Sequence, residues 1–213
     1  MRLARWTTAV SLGFFVLVAA LTAQQPAQRG GGQGAPPAGG AQRGPAGPAM
    51  ALTSTSFADG AVIPIKYSQA GEQVSPQLAW ANTPANTVGF VLHMHDMEGA
   101  RNKTTEDQLH WLIWNMPAST TSLPEGIPKG DLKDGSHQTS ANGDGTYRGP
   151  GFAGNGPMHH YIFEIFAVDT KIDVPGGGDP FETRTKVLQA MQGHILGKAV
   201  YEGRYRRPDN LGQ

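Results

Sequence analysis

Cysteine is absent from the 213 residues. This excludes disulfides, thiol nucleophiles and thiolate metal sites. Acidic residues are absent from the first 49 positions, while Arg2, Arg5, Arg29 and Arg43 lie there. The remainder, residues 50–213, therefore carries 13 of the 17 basic groups and all 17 acidic ones, a net charge of −4 with His neutral. That balance argues against nonspecific attachment to nucleic acid or to an anionic membrane surface. Any anion site has to be assembled locally. Long apolar runs are also missing. Ala9 to Leu21 is almost unbroken, but it falls short of the ~20 residues that span a bilayer.

The same run, with Arg2 and Arg5 ahead of it and small residues up to Ala23, reads as a secretory signal over residues 1–23. Residues 24–49 are Gln, Gly, Pro and Ala with two Arg. They hold almost no large side chain to offset the entropy of ordering, so they read as a disordered linker. The protein is thus expected to be exported, periplasmic or secreted, with no integral span after cleavage. N-terminal sequencing of exported protein is expected to start near Gln24. A chain still beginning at Met1, or a protease-resistant 24–49 segment, contradicts this.

The 164 residues from 50 onward suit a single domain. Short apolar segments separated by Gly, Pro and Asn favour strands. Val88–His95, Leu109–Met116 and His159–Val168 are the clearest. The last is apolar on both faces, as a central buried strand would be. Phe57–Tyr67 reads as a hairpin or edge strand turning at Asp59-Gly60. Asp179-Pro180-Phe181-Glu182 opens a helix, with an N-cap residue, Pro at the first position and Glu at the third. Val187, Leu188 and Met191 give it an apolar stripe. A shorter helical piece is expected over Ile195–Val200, and Arg204–Arg207 reads as a solvated tail.

Polar residues collect at the strand ends. Asp96 ends one strand and His110 begins the next; an antiparallel pairing puts both at one end of the sheet. His159 opens the third strand, with Tyr161 on the same face. The loop before it, Tyr147 to Pro157, is rich in glycine and can turn backbone N–H groups toward an anion. Protonated His110 or His159 would pair with a phosphate or carboxylate, and binding would strengthen as pH falls. His93 and His95, two apart on one strand, have a spacing that zinc sites use. They are the alternative, as metal ligands of an acid–base or metal-dependent enzyme. No G-x-S-x-G elbow is present.

Several of these segments, in order, resemble one family. Leu52-Thr53-Ser54 with Phe57-Ala58-Asp59-Gly60, Ser75-Pro76-Gln77-Leu78-Ala79-Trp80, His110-Trp111 with Asn115-Met116-Pro117, and Tyr147-x-Gly149-Pro150 with His159-x-Tyr161 resemble the phosphatidylethanolamine-binding proteins, in their bacterial Raf kinase inhibitor-like branch. The resemblance runs over roughly residues 51–205. It implies a mainly β fold, a two-sheet antiparallel β-sandwich with short peripheral and C-terminal helices. It also implies a small pocket for an anion or phospholipid headgroup, formed by Asp96, Glu98, His110, Gly149, Pro150, His159 and Tyr161. No catalysis and no cofactor are implied. Some relatives inhibit kinases or proteases by protein contact, a further alternative. Where the family has an Asp-Pro-Asp-Ala-Pro segment, this chain has Asp96-Met97-Glu98-Gly99-Ala100. Without its prolines that wall is expected to be looser.

Overall fold

The computed structural model describes residues 48–152 and 155–208. The signal expected over 1–23 and the linker over 24–49 lie outside the described residues, except Pro48 and Ala49, which have no regular structure.

Among the described residues, nine strands form two sheets. A small sheet joins β1 (Ala51–Thr53), β3 (Leu78–Ala81) and β6 (Ser122–Leu123) in the order β1-β3-β6. A larger one joins β2 (Ala61–Val62), β4 (Gly89–Asp96), β5 (Gln108–Pro117), β7 (His137–Thr139), β8 (His159–Val168) and β9 (Ile195–Tyr205) in the order β2-β9-β8-β4-β5-β7. All pairings are antiparallel except β2 with β9. Strand alternation divides the large sheet's side chains between two cores. Phe90, Leu92, Met94, Trp111, Phe163 and Ile165 pack against Leu52, Leu78, Trp80 and Leu123 of the small sheet. Val91, Leu112, Trp114, Phe166 and Val168 pack on the other face with Val187 of α1 (Pro180–Ala190) and with Met191, which caps its C-terminus. The strand β8, expected to be central, lies between β9 and β4.

The helix begins as its sequence implies. The Asp179 carboxylate accepts from the N–H groups of Phe181 at 3.0 Å and Glu182 at 2.9 Å. Gly193, with φ of +84°, supplies the left-handed residue that turns the chain back into β9.

Two expectations fail, and a third is met only in one of its two forms. Phe57–Tyr67 makes no hairpin, but it carries the edge strand that the sequence equally allows, after a turn at Asp59-Gly60. Its strand is only β2, an edge strand parallel to β9 and followed by a 3-10 turn, Ile65–Tyr67. It lies so close to β9 that a Cβ on Gly203 would stand 2.4 Å from Ile63 Cγ1. Ile195–Val200 is strand rather than helix, because β9 pairs with β8 along its length, from Ile195 opposite Val168 to Tyr205 opposite His159. The Arg204–Arg207 cluster is no free tail. Arg204 ends within β9 and donates through Nε to the Gly60 carbonyl, and Arg206 donates to the Gly156 carbonyl.

Candidate functional site

Asp96 ends β4 directly opposite Tyr161 of β8 and opposite Gln108 of β5. His159 is two residues before Tyr161 on the same face. Its Nδ1 lies 2.8 and 3.0 Å from the two Asp96 carboxylate oxygens. With Nδ1–H given to Asp96, Nε2 is the nitrogen left for a ligand. The Phe152 ring stacks on His159 with centroids 3.6 Å apart.

A register irregularity brings His110 into this group. Met94 pairs with Trp111 and His95 pairs with Leu109, so His110 is the extra residue of a β-bulge. A bulge re-aims one side chain and bends the strand locally. The His110 ring meets Tyr161 edge-on, centroids 5.0 Å apart. Its Nδ1 donates to the Arg148 carbonyl at 2.8 Å. Burial pushes its imidazole down to about 4. The expectation that protonated His110 strengthens anion binding between pH 8 and 6 is therefore corrected. His110 stays neutral in that range, with Nε2 as an acceptor.

Tyr161 is fully buried, and among the described residues its hydroxyl completes no hydrogen bond of good geometry, although the Asp96 carboxylate and two backbone N–H groups face it. Burial, and then the Asp96 charge, raise the phenol well above its usual range. The backbone N–H groups of Gly151 and Phe152 act in the opposite sense on the same oxygen, so donors do face this point from the glycine-rich loop. Gly149 and Pro150 shape the wall. A Cβ on Gly149 would stand 2.2 Å from the Tyr67 carbonyl oxygen. Gln69 donates to the Gly149 carbonyl through Nε2 and to the Pro150 carbonyl through its backbone N–H. Tyr147 donates to Tyr67 O at 2.9 Å. Ala153 and Gly154 of this loop lie outside the described residues.

Glu98 stands at the rim. It accepts from the His160 backbone N–H at 2.8 Å, and its other oxygen is 2.5 Å from His160 Nδ1. Burial would raise its pKa, but these hydrogen bonds hold the carboxyl below its ordinary value. The proline-free segment, expected to be loose, is tied down. Glu98 N–H donates to Asp96 Oδ1 at 3.0 Å, and Met97 N–H donates to the His160 carbonyl at 3.1 Å. A proline at position 97 would lack that second donor.

His93 and His95 occupy the opposite face of β4, toward α1, and do not join this group. Their rings stack, centroids 4.4 Å apart and planes 4° apart. Glu164 of β8, opposite His93 in register, faces both imidazoles. Asp107 bonds His95 Nδ1 and is itself held by Arg184 at 2.7 Å. Burial pushes His93 down. It would also lower His95, but the bonds to Asp107 and Glu164 outweigh it and raise His95 to about 9. Phe152, Asp107 and Glu164 were not singled out in the sequence. For Glu164 a signal existed: it is the lone charge inside Ile162–Phe166.

With this geometry in view, the comparisons place the chain. A family model described as phosphatidylethanolamine-binding protein matches residues 53–206. A UPF0098 protein of Methanothermobacter thermautotrophicus is 37% identical over 161 residues, covering 74% of this chain and 99% of that protein. The UPF0098 protein YbhB of Escherichia coli is 33% identical over 136 residues, covering 60% of this chain and 84% of YbhB. Among solved structures, a phosphatidylethanolamine-binding protein homologue from Chlamydia trachomatis superposes with a TM-score of 0.64 at 28% identity, over 75% of this chain and 99% of that one. Escherichia coli YbcL shares the fold, with a TM-score of 0.61 at 21% identity, over 75% of this chain and 99% of its own. The chain belongs to the phosphatidylethanolamine-binding protein family.

Proposed function

We propose that this domain is a noncatalytic binding module that takes a phosphoryl group, free or as a lipid headgroup, in the pocket between Asp96, His110, His159 and Tyr161. The observation that carries this reading is the convergence of the Asp96 carboxylate and the Gly151 and Phe152 N–H groups on the buried Tyr161 hydroxyl, which has no hydrogen bond of good geometry among the described residues. A buried donor left without one is costly unless a ligand completes it. The Gly151 and Phe152 N–H groups face the same point, and His159 adds Nε2. Neutral His110 supplies an acceptor. The pocket therefore suits a phosphoryl group that keeps a proton, or an ester that brings a hydroxyl or ammonium hydrogen. Asp96 holds His159 in orientation and supplies the charge that balances it when protonated.

The signal-like segment supports placing this module outside the cytoplasm. Among the described residues, no helix is long and apolar enough to cross a membrane. No nucleic-acid partner is expected for a domain of net −4, and no protein target is assigned.

Calorimetry with methylphosphonate and with sulfate, whose charge is fixed, tests the reading. Tyr161→Phe is expected to weaken phosphonate binding about tenfold, as loss of a hydrogen bond to a charged group would. His159→Ala is expected to weaken it at least as much. Equal affinity in the parent and both variants, or no binding by the parent, overturns the reading.

A further inference from the structure

The family pocket lies on one face of β4, and the other face of the same strand carries a second polar group unrelated to it. His93 and His95 are both more than nine-tenths buried, and among the described residues each has an Nε2 without a hydrogen bond of good geometry. They flank Glu164, whose Oε2 is 3.5 Å from His93 Nδ1 and 3.5 Å from His95 Nε2. Buried imidazole nitrogens are ordinarily hydrogen-bonded. Here two rings are pressed face to face, each with a nitrogen aimed at the same carboxylate oxygen at the long distance of 3.5 Å.

We propose that His93, His95 and Glu164 form a binding site for a zinc-class divalent cation. Donor atoms from the three residues lie within 4.8 Å of one another. Ligands at tetrahedral corners, about 2.0–2.2 Å from zinc, stand roughly 3.3–3.6 Å apart. The observed 3.5 Å separations fit. Two imidazoles and one carboxylate are a donor set that zinc accepts, with a fourth position left for water. The stacked rings must turn about their Cβ–Cγ bonds to aim both lone pairs at one ion.

The surroundings resemble the outer shell of a metal site. Asp107 takes His95 Nδ1–H, which leaves Nε2 as the atom that gives up its proton to become a ligand when the ion binds. Arg184 holds Asp107 through two contacts, to Oδ1 at 2.7 Å and to the backbone carbonyl at 3.1 Å. Lys198 bonds Glu164 Oε1, leaving Oε2 to the histidines. His93 also lines a surface cleft of about 490 Å³, bordered by Thr105, Asp107, Arg184 and Gln189, which gives an ion a way in and room for the fourth ligand.

A rival cluster exists in the family pocket, where Asp96, Glu98 and His159 also bring donor atoms within 4.8 Å. The chemistry favours the α1 face. Asp96 already engages His159, Glu98 engages His160, and that set has one imidazole against two.

The test uses chelator-treated, untagged protein titrated calorimetrically with zinc chloride alone, then with cobalt(II), whose visible absorption reports tetrahedral coordination. One equivalent of zinc is expected per chain. His93→Gln and His95→Gln should each weaken it by at least tenfold, and Asp107→Asn by 10- to 100-fold, as outer-shell changes do. Asp96→Asn and His159→Gln should leave it unchanged. Absence of stoichiometric zinc binding by the parent protein overturns the proposal without reference to any variant. Loss of binding in the Asp96 and His159 variants, with retention in the His93 and His95 variants, overturns it in favour of the pocket. Failure here leaves the phosphonate reading untouched, because the two tests read different faces of β4.

Discussion

Replacing Trp111 with alanine is expected to lower the unfolding free energy by about 3–5 kcal/mol, the range for truncating a buried aromatic side chain. Trp111 is fully buried in the core between the sheets. Its ring meets Tyr147 edge-on at 5.4 Å. Its Nε1 donates to Gln138 Oε1 at 2.8 Å. Truncation opens a cavity and also orphans that buried acceptor, whose Gln138 amide nitrogen is already committed to the Pro128 and Gly130 carbonyls. Trp111→Phe keeps most of the apolar contact and should lose less. Urea denaturation is the measurement: the midpoint should fall with little change in slope. A Trp111→Ala protein that unfolds at the parent's midpoint contradicts the core assignment.

Acidification should destabilise the fold through His110. Its folded-state pKa is about 4, below the ordinary 6.5. Between those values the unfolded chain takes up a proton that the folded chain refuses. The contribution is therefore fully present above pH 6.5 and lost progressively as pH falls toward 4. Over pH 6.5 to 4.5 it amounts to about 2–3 kcal/mol. His93, also held low by burial, acts in the same direction. Glu98, Asp107 and Glu164 are held below their ordinary values of 4.5, 3.8 and 4.5, so their losses come at still lower pH. The comparison that isolates His110 is with His110→Asn, which retains a side-chain donor but cannot titrate. The parent should lose about 2–3 kcal/mol more than this variant between pH 6.5 and 4.5. Parallel stability curves would show that position 110 does not titrate as described.

Much of this was legible in the chain. The strand β8 was readable over its full extent because Tyr161, Phe163, Ile165 and Ala167 fill one face while Ile162, Phe166 and Val168 keep the other largely apolar around the single charge of Glu164. The start of α1 was readable because Asp179 and Pro180 act through local backbone chemistry. The misreading of β9 has a physical cause. Gly197, Lys198, Ala199 and Glu202 have little intrinsic strand preference, and what makes that segment extended is its pairing with β8, a long-range contact. Asp96, His159 and Tyr161 could be grouped because strand ends and alternation are sequence properties. The tie between Asp96 and His159, the Phe152 stack and the neutral state of His110 could not. Each depends on how closely distant segments approach, and the last depends on burial.

The bulge at His110 separates two things that a strand normally couples. Leu109 packs toward α1 and Trp111 toward the small sheet, although they are two residues apart. The single residue between them absorbs the change of phase. Position 110 therefore lies outside the alternation that both hydrophobic layers impose on β5. Under the proposed reading, its side chain can be exchanged to retune the pocket while the packing on either side keeps its register. In a sheet whose faces are otherwise filled, that would make the bulge the place where ligand preference varies with least disturbance of strand register.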